Sequence, residues 1–240
     1  MGKDLLYKDL AKYYDVIYYW KDYSKEAGLL VKLISKYKKS EGKELLEAGC
    51  GTGHHLQFLK DNFKCTGTDI NQEMLNVAKK KNKDVTFRKA DMIDMKLNKK
   101  FDVIISMFSS IGYVKTITNL KKTLQNFSGH LKSGGVLIIE PWFSQDQFTN
   151  SKTQLISYED DKIKIARMSK SKRKGNISIL DMDYLVSESG EDTKHFKDRH
   201  ELGLFETEKT LELMESAGLK SRMLKNGFMK GRGVFIGVKE

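Results

Sequence analysis

Residues 46–53 have the sequence Leu-Glu-Ala-Gly-Cys-Gly-Thr-Gly, a glycine-rich turn between a predicted apolar strand and a predicted helix. Glycine allows a tight turn and lets backbone amides approach a ligand closely. A dinucleotide-binding turn would need glycine at position 54, which is His54. A phosphate-binding loop would need Gly-Lys followed by Ser or Thr, which this turn lacks. The spacing therefore fits neither of these nucleotide sites, and an ordinary glycine turn is the alternative.

Short apolar strands alternate with helical segments on both sides of this turn. The predicted strands are residues 45–48, 65–69, 85–88, 101–107 and 136–140, and the predicted helices are residues 54–62, 73–81 and 120–131. Strands at this spacing with helices between them indicate an α/β protein with a parallel, doubly wound sheet. The first forty residues are predicted to be helical, with Ser24 as the N-cap of a helix.

The pattern changes after Pro141. Antiparallel strands are predicted at residues 154–158, 162–169, 177–186 and 196–205, and a helix follows at residues 207–217. We therefore expect an antiparallel β insertion after the fifth strand, facing the substrate. The predicted divisions are a helical cap (1–40), a sheet core (41–141), the insertion (142–205), and a C-terminal helix and hairpin that complete the sheet (206–240).

The composition indicates a folded chain: 39% of the 240 residues are hydrophobic, and no apolar window is long enough to span a membrane. The 43 basic and 32 acidic residues give a formal charge of +11, which would attract phosphates. Because much of the excess is lysine on predicted helix faces, we interpret the charge as background. With no signal-peptide pattern at the N-terminus and only two cysteines, we expect a cytoplasmic protein.

The E-x-G-x-G-x-G pattern of the turn resembles the first motif of class I S-adenosylmethionine-dependent methyltransferases. In that class the turn lies against the amino-acid and ribose portions of the cofactor. The resemblance implies a Rossmann-like, seven-stranded methyltransferase sheet, S-adenosylmethionine as cofactor and S-adenosylhomocysteine as product. It also implies that Ala48, Gly49, Gly51 and Gly53 bind the cofactor.

Three further strand ends supply the rest of the predicted cofactor site. Asp69 closes the second strand, where a carboxylate can accept two hydrogen bonds from a ribose diol. Ile70 would flank the adenine. The resemblance implies that Asp91 and Met92, after the third strand, contact the adenine, and that Met107, after the fourth, closes the pocket.

Motifs outside the cofactor site resemble the nucleotide-sugar N,N-dimethyltransferases, which methylate the 3-amino group of dTDP-linked deoxysugars. These motifs are residues 107–112, 140–143, 199–205 and 231–238, with residues 11–15 and 21–23 near the N-terminus. The resemblance implies methyl transfer to the amine of a small molecule, with a nucleotide-linked aminodeoxysugar as the leading acceptor. Tyr14 and Tyr23 would close over the amino-acid end of the cofactor.

Two positions depart from this group's pattern. The group tends to have His after Ser-Ser-Ile-Gly, where this chain has Tyr113, and its N-terminal substrate tyrosine is matched by Tyr7 one residue out of register. An amine must be neutral when it attacks a methyl group, and a modest proton acceptor suffices. The candidates are Tyr7, Tyr113 and His200, each of which has a packing role as its alternative.

The predicted acceptor site lies under the insertion, with Trp142 and Tyr113 as walls. Arg232, and with it Arg199, would face an anionic diphosphate, because a guanidinium can bind such a group bidentately. The alternative for Arg232 is a surface arginine in a turn. No metal is expected, because adjacent residues such as His54 and His55 diverge by about 100° on a helix.

Two other functions compete with this one. The charge suggests a nucleic-acid methyltransferase, but the Asn/Asp-Pro-Pro-Tyr/Phe motif of the amino-methylating enzymes is replaced by Phe108-Ser109-Ser110. A non-catalytic cofactor-binding protein is the other alternative. We expect a small-molecule partner, no nucleic acid, no membrane, and a monomer or homodimer.

Overall fold

The computed structural model describes residues 5–8, 10–150 and 152–240, which form two sheets and six α-helices. The strands are β1 (Glu44–Ala48), β2 (Lys64–Asp69), β3 (Thr86–Lys89), β4 (Phe101–Ser106), β5 (Leu131–Ile139), β6 (Thr153–Glu159), β7 (Ile163–Lys174), β8 (Ile177–Glu188), β9 (Lys194–Gly203), β10 (Leu219–Leu224) and β11 (Val234–Lys239). The helices are α1 (Tyr14–Ile17), α2 (Tyr23–Tyr37), α3 (His54–Leu59), α4 (Gln72–Lys81), α5 (Ile117–His130) and α6 (Thr207–Ser216). Short 3-10 turns cover Leu5–Tyr7, Ala11–Tyr13 and Ser110–Val114.

The main sheet has seven strands in the order β10-β11-β5-β4-β1-β2-β3. Strands β1 to β5 are parallel, whereas β11 is antiparallel to both β5 and β10. The chain runs outward from β1 to β3 and then returns to place β4 on the other side of β1. Ligands bind at such a reversal of strand order, outside the carboxyl ends of the strands. The predicted Rossmann-like, seven-stranded sheet is confirmed.

Both faces of the main sheet are covered, because successive side chains on a strand point to opposite sides. Leu45 belongs to a core cluster with α2, α3 and α4, and the next residue, Leu46, belongs to a cluster with α5 and α6. In the same way, Val103 and Ile104 on β4 divide between the two clusters. The near-continuous apolar runs of these strands are therefore those of a sheet buried on both faces.

The antiparallel insertion is confirmed as a separate four-stranded sheet, β6-β7-β8-β9. Strands β7 and β8 are joined by a tight turn at residues 175–176, where Gly175 has φ +57°. Ile165, Met182 and Tyr184 on its inner face pack against Leu6 and Ile17 of the N-terminal segment. The insertion and the N-terminal segment thus share one apolar cluster, and the predicted domain boundaries stay a prediction.

The N-cap of α2 differs from the one expected from the sequence. Ser24 was expected to cap α2, but the N-cap is Asp22, whose Oδ1 accepts a hydrogen bond from Lys25 N at 2.9 Å. Ser24 lies inside the first turn because the chain enters the helix at Tyr23. In the described parts of the chain, no helix has the length and apolar character needed to cross a membrane.

Candidate cofactor and acceptor site

The glycine turn after β1 has a backbone that other residues rarely adopt. Gly49, Gly51 and Gly53 have φ values of +74°, +53° and +74°. The Gly49 carbonyl accepts a hydrogen bond from Ser110 Oγ at 3.1 Å, and a Cβ on Gly49 would lie 2.7 Å from Ser110 Cβ. Glycine is therefore required at position 49 both by its left-handed φ and by the approach of the loop after β4.

A cavity of about 490 Å³ lies beside this turn, at the carboxyl edge of the main sheet. Most of the predicted site residues line it: Tyr7, Tyr14, Tyr23, Gly49, Gly51, Asp69, Ile70, Asp91, Met92, Met107 and Tyr113. The cavity therefore brings together the ends of β1 to β4 and the N-terminal segment, as the strand-end argument predicts.

Two residues of the glycine motif do not line the cavity. Ala48 is fully buried in the core cluster that contains α5 and α6. Gly53 is the N-cap of α3, and a Cβ there would lie 3.1 Å from Asn82 Nδ2 and 3.2 Å from the Phe87 ring. Both positions serve the packing of β1 and α3, and their contact with the cofactor stays a prediction.

Asp69 holds the turn in place from the neighbouring strand. Its Oδ2 accepts a hydrogen bond from Gly51 N and its Oδ1 accepts one from Asn71 N, both at 2.9 Å. Burial raises the pKa of this carboxyl above its ordinary value, against the lowering effect of these bonds. Asn71 Nδ2 also donates a hydrogen bond to Oδ1, at 3.3 Å. A carboxylate has about four acceptor sites, so these three bonds leave capacity for a hydroxyl donor in the cavity, chiefly at Oδ2. This geometry supports the predicted ribose contact.

A buried charge network lies below the turn, and the sequence did not predict it. His55 Nδ1 lies 3.0 Å from Glu47 Oε1, and His55 Nε2 lies 2.8 Å from Glu26 Oε2, whose carboxylate also binds Lys21 Nζ. Although burial lowers the pKa of His55, the two carboxylates outweigh it and raise the pKa to about 9. His55 is therefore an imidazolium at neutral pH. The sequence gives no signal for this pairing, because Glu26 lies on α2, 29 positions before His55 in the chain.

The second carboxylate oxygen of Glu47 is a buried hydrogen-bond acceptor at the site. Glu47 is 2% exposed and lines the cavity, and its Oε2 has no hydrogen-bond partner among the described residues. A buried carboxylate oxygen without a partner is costly, so such a site favours a cationic or hydrogen-bond-donating ligand. The ammonium group of an amino-acid-bearing cofactor fits this requirement.

Asp15 on α1 fastens the N-terminal segment over the glycine turn. Its carboxylate accepts hydrogen bonds from Thr52 Oγ1 at 2.7 Å and from Lys81 Nζ at 2.6 Å, and it lies 2.8 Å from His54 Nε2. Burial would raise the pKa of Asp15, but bonds from these three groups lower it to about 2. The Tyr23 ring stacks on His54 with centroids 4.4 Å apart. These contacts hold Tyr14 and Tyr23 against the cavity.

The three candidate proton acceptors form one hydrogen-bonded chain. Tyr7 OH lies 2.7 Å from Tyr113 OH, and Tyr113 OH lies 2.5 Å from His200 Nδ1. His200 is 3% exposed, and its Nε2 lies 2.8 Å from Asp198 Oδ2. Tyr7 and Tyr113 line the cavity, whereas His200 lies behind them. The fourth member, Asp198, was missed because nothing in its sequence context distinguishes it from other charged strand residues.

Arg232 does not face the cavity as predicted. It is 7% exposed, and its guanidinium lies 4.4 Å from the Trp142 ring centroid and 4.7 Å from that of Phe143. Its Nη1 donates a hydrogen bond to Ser109 Oγ at 2.9 Å. Trp142 is likewise fixed, because its Nε1 donates to Ser178 Oγ at 2.8 Å. Neither side chain lines the cavity, because aromatic stacking holds Arg232 in the wall behind it.

Arg199 also lies away from the predicted acceptor site. Its strand neighbours Asp198 and His200 point inward, so Arg199 lies on the opposite face of the insertion sheet. There its Nε donates a hydrogen bond to Asp181 Oδ1 at 2.5 Å. The alternation of side chains on β9 therefore excludes a shared role for Arg199 and His200 in one pocket.

No group of three or more His, Cys, Asp or Glu residues in the described ranges is arranged to hold a metal ion. The adjacent histidines diverge, since His54 contacts Asp15 and His55 contacts Glu47.

Asp69→Ala should weaken the binding of S-adenosylmethionine by about 1–3 kcal/mol, because hydroxyl groups of the ligand would lose their acceptor. Titration calorimetry measures the change directly. Asp84→Ala is the control, since the Asp84 side chain is 83% exposed and forms a salt bridge only with Lys60 at 3.5 Å. Equal affinities for the parent and the Asp69 variant would contradict the ribose assignment.

The parallel sheet with its reversal of strand order, the E-x-G-x-G-x-G turn and the acidic residue at the end of β2 define a class I, S-adenosylmethionine-dependent methyltransferase. Residues 45–135 match the methyltransferase-domain family. The chain is 35% identical over 233 residues to dTDP-3-amino-3,4,6-trideoxy-alpha-D-glucopyranose N,N-dimethyltransferase of Streptomyces venezuelae, covering 96% of this chain and 98% of the relative. It belongs to the same methyltransferase family as that sugar enzyme.

Solved structures agree with this assignment. The chain superposes on Streptomyces venezuelae DesVI with a TM-score of 0.90 and 34% identity, covering 96% of this chain and 98% of the other. It also matches CalS10, an amino pentose methyltransferase from Micromonospora echinaspora solved with S-adenosylmethionine bound, with a TM-score of 0.83, 26% identity and 92% of each chain covered. The protein is thus an S-adenosylmethionine-dependent N-methyltransferase.

Proposed function

We propose that this protein transfers a methyl group from S-adenosylmethionine to the amine of a nucleotide-linked aminodeoxysugar. The observation that carries the proposal is that one cavity is lined both by the glycine turn and by Tyr7 and Tyr113, whose hydroxyl oxygens lie 2.7 Å apart. A donor held by the turn and an amine held by the tyrosines would meet inside it. The full-length similarity to an aminosugar N,N-dimethyltransferase supports this class of acceptor.

The cofactor-binding residues follow from the groups that line the cavity. Asp69 would accept hydrogen bonds from the ribose, Asp91 and Met92 would contact the adenine with Ile70 and Met107 beside it, and Glu47 Oε2 would accept a hydrogen bond from the ammonium group. When bound, S-adenosylmethionine supplies a methyl carbon on a sulfonium, and its carbon–sulfur bond breaks as the amine lone pair forms the new carbon–nitrogen bond.

The acceptor amine needs correct placement and a free lone pair. Holding the reacting atoms about 3–3.5 Å apart can supply about 7–11 kcal/mol of the barrier, so positioning is the main task of the protein. Tyr7 can accept a hydrogen bond from the amine and orient it. Asp15 fastens the N-terminal segment that carries Tyr7 to the glycine turn and to α4, which fixes the segment beside the cavity.

The negative charge of a nucleotide diphosphate requires cations near the cavity. Lys8 and Lys115 line it, and Lys115 Nζ also lies 3.4 Å from Glu201 Oε2. We assign these lysines to the acceptor's anionic part. A contact from Arg232 stays a prediction, and it would require the guanidinium to leave the Trp142 and Phe143 rings.

The test is an acceptor screen with methyl-labelled S-adenosylmethionine. We expect label in a dTDP-linked aminodeoxysugar, with less in the free aminodeoxysugar because it lacks the diphosphate. Duplex DNA and RNA form a separate arm, in which we expect no label and only weak binding that collapses between low and physiological salt. Label in nucleic acid alone, or cofactor binding without turnover of any amine, would overturn the proposal.

Three expectations from the sequence stay predictions beside this function. They are the cytoplasmic location, the monomeric or homodimeric state and the division of the chain at residues 40, 141 and 205. Limited proteolysis and sedimentation measurements address the last two directly.

A further inference from the structure

We propose that Tyr7, Tyr113 and His200 form a proton relay that removes a proton from the ammonium form of the acceptor, with Asp198 as the residue that sets its direction. The proposal rests on the proposed function, because it requires an amine acceptor. Tyr7 is the member that touches the substrate. Tyr113, His200 and Asp198 are positioning residues, since each acts through another group.

Asp198 fixes the direction of the hydrogen bonds. Its two oxygens accept hydrogen bonds from Leu5 N and Leu6 N, both at 2.9 Å, and the residue is fully buried. Burial would raise the pKa of this carboxyl, but the bonds from His200 and these amides lower it, so Asp198 is ionised and only accepts. His200 Nε2 must therefore carry a hydrogen toward Asp198.

The directions of the other hydrogen bonds follow from the hydrogen on His200 Nε2. With its hydrogen on Nε2, a neutral imidazole has an acceptor at Nδ1, so Tyr113 donates its hydroxyl hydrogen to His200. The Tyr113 oxygen then accepts the hydrogen of Tyr7. The Tyr7 oxygen keeps its lone pairs for a donor in the cavity, which is the position that an ammonium group of the acceptor would occupy.

An amine acceptor needs such a relay because an aliphatic ammonium has an ordinary pKa above neutrality and has no lone pair while it is protonated. The ammonium gives one proton to the Tyr7 oxygen, the Tyr7 proton passes to Tyr113, and the Tyr113 proton passes to His200 Nδ1. The products are a neutral amine, two neutral tyrosines and an imidazolium next to the Asp198 carboxylate. Total charge is unchanged, because one cation has replaced another.

The surroundings of His200 suit this role. Among the described residues, the titratable groups that contact it include Tyr113 from the turn at Ser110–Val114, Tyr7 from the N-terminal turn and Asp198 on its own strand. Leu180, opposite His200 on β8, is apolar. A proton that reaches His200 Nδ1 through Tyr113 would place the imidazolium beside the Asp198 carboxylate, whose Oδ2 lies 2.8 Å from His200 Nε2.

Tyr113→Phe tests the relay because it removes the central hydroxyl and leaves both ends in place. Near pH 7 we expect kcat/KM for the acceptor to fall by about 10²-fold, the lower range for loss of acid–base assistance. The defect relative to the parent should shrink as the pH rises through the pKa of the amine, which then loses its proton to solvent. A purely structural role would give the same defect at every pH.

Two further variants separate the relay from packing. Tyr113→His places another proton-accepting group at this position and should recover most of the activity that Tyr113→Phe loses. Tyr184→Phe removes a buried hydroxyl from the same inner face of the insertion, where it contacts Met182 Sδ at 3.3 Å, and should keep the parent's pH profile. A Tyr113→His variant no better than Tyr113→Phe would overturn the relay.

A measurement that needs no turnover is nitrogen-15 NMR of the histidines, with His200 assigned by the His200→Gln variant. The relay requires His200 to be neutral with its hydrogen on Nε2 in the resting protein, and the opposite tautomer overturns it. Failure of the function itself looks different, since the parent would then methylate no amine. If the parent methylates the amine and the loss of kcat/KM in Tyr113→Phe is the same at every pH, the relay is rejected and the proposed function stands.

Discussion

A His55→Gln variant is expected to be less stable than the parent protein by about 3–5 kcal/mol, the usual cost of removing one partner from a buried ion pair. His55 lies between the carboxylates of Glu47 and Glu26. Without the imidazolium, the buried Glu47 carboxylate would lose a charged partner while its second oxygen is already unpaired. Urea unfolding at pH 6.5 measures the difference.

The same variant should lose most of the parent's change in stability with pH between about 6.5 and 9. The folded-state pKa of His55 is about 9, against an ordinary value of 6.5. Since the folded pKa is raised, the stabilisation is fully present below pH 6.5 and is lost as the pH rises through about 9. The difference between the two pKa values corresponds to about 3 kcal/mol.

His195→Gln is the matched control for this prediction. His195 also contacts a carboxylate, Asp183 at 2.8 Å, but its side chain is 48% exposed, so the pair contributes little. We expect this variant to keep both the stability and the pH slope of the parent. Parallel slopes for the parent and the His55 variant would show that the buried network does not titrate as described.

Gly49→Ala should reduce the affinity for S-adenosylmethionine by at least about tenfold. The alanine would sit at φ +74°, where a side chain costs about 1–3 kcal/mol. Its Cβ would also lie 2.7 Å from Ser110 Cβ, so the turn or the loop after β4 must move. Either movement shifts the backbone amides away from the cofactor, which calorimetry would report as a raised Kd.

Gly28→Ala is the control for the glycine turn. Gly28 lies inside α2 with ordinary helical φ and nothing within 4 Å of an added Cβ. This alanine should stabilise the protein by about 0.5–1 kcal/mol through helix propensity, with no change in cofactor affinity. If Gly49→Ala bound the cofactor as tightly as the parent, the turn would not form the contact surface assigned to it.

Local patterns were sufficient for the sheet and for most of the cofactor site. The turn, Asp69, Asp91 and Met107 each follow a strand, and parallel strands bring their carboxyl ends to one edge. Strand and helix periodicity therefore placed these side chains together before any contact was known. Ala48 and Gly53 do not line the cavity, because a motif specifies the backbone of a turn and does not say which of its residues face a ligand.

The other features of the site depend on contacts between side chains that are far apart in the sequence. Tyr7 and Tyr113 are 106 positions apart in the sequence, and Tyr113 and His200 are 87 apart. His55 contacts Glu26, which lies 29 positions earlier in the chain. Arg232 was expected in the acceptor site, but aromatic rings of a distant loop bury it. A side chain's partners across such separations depend on how the sheets and segments pack. The sequence carries no periodic signal for that packing, so the relay, the charged network and the position of Arg232 emerge only in the folded chain.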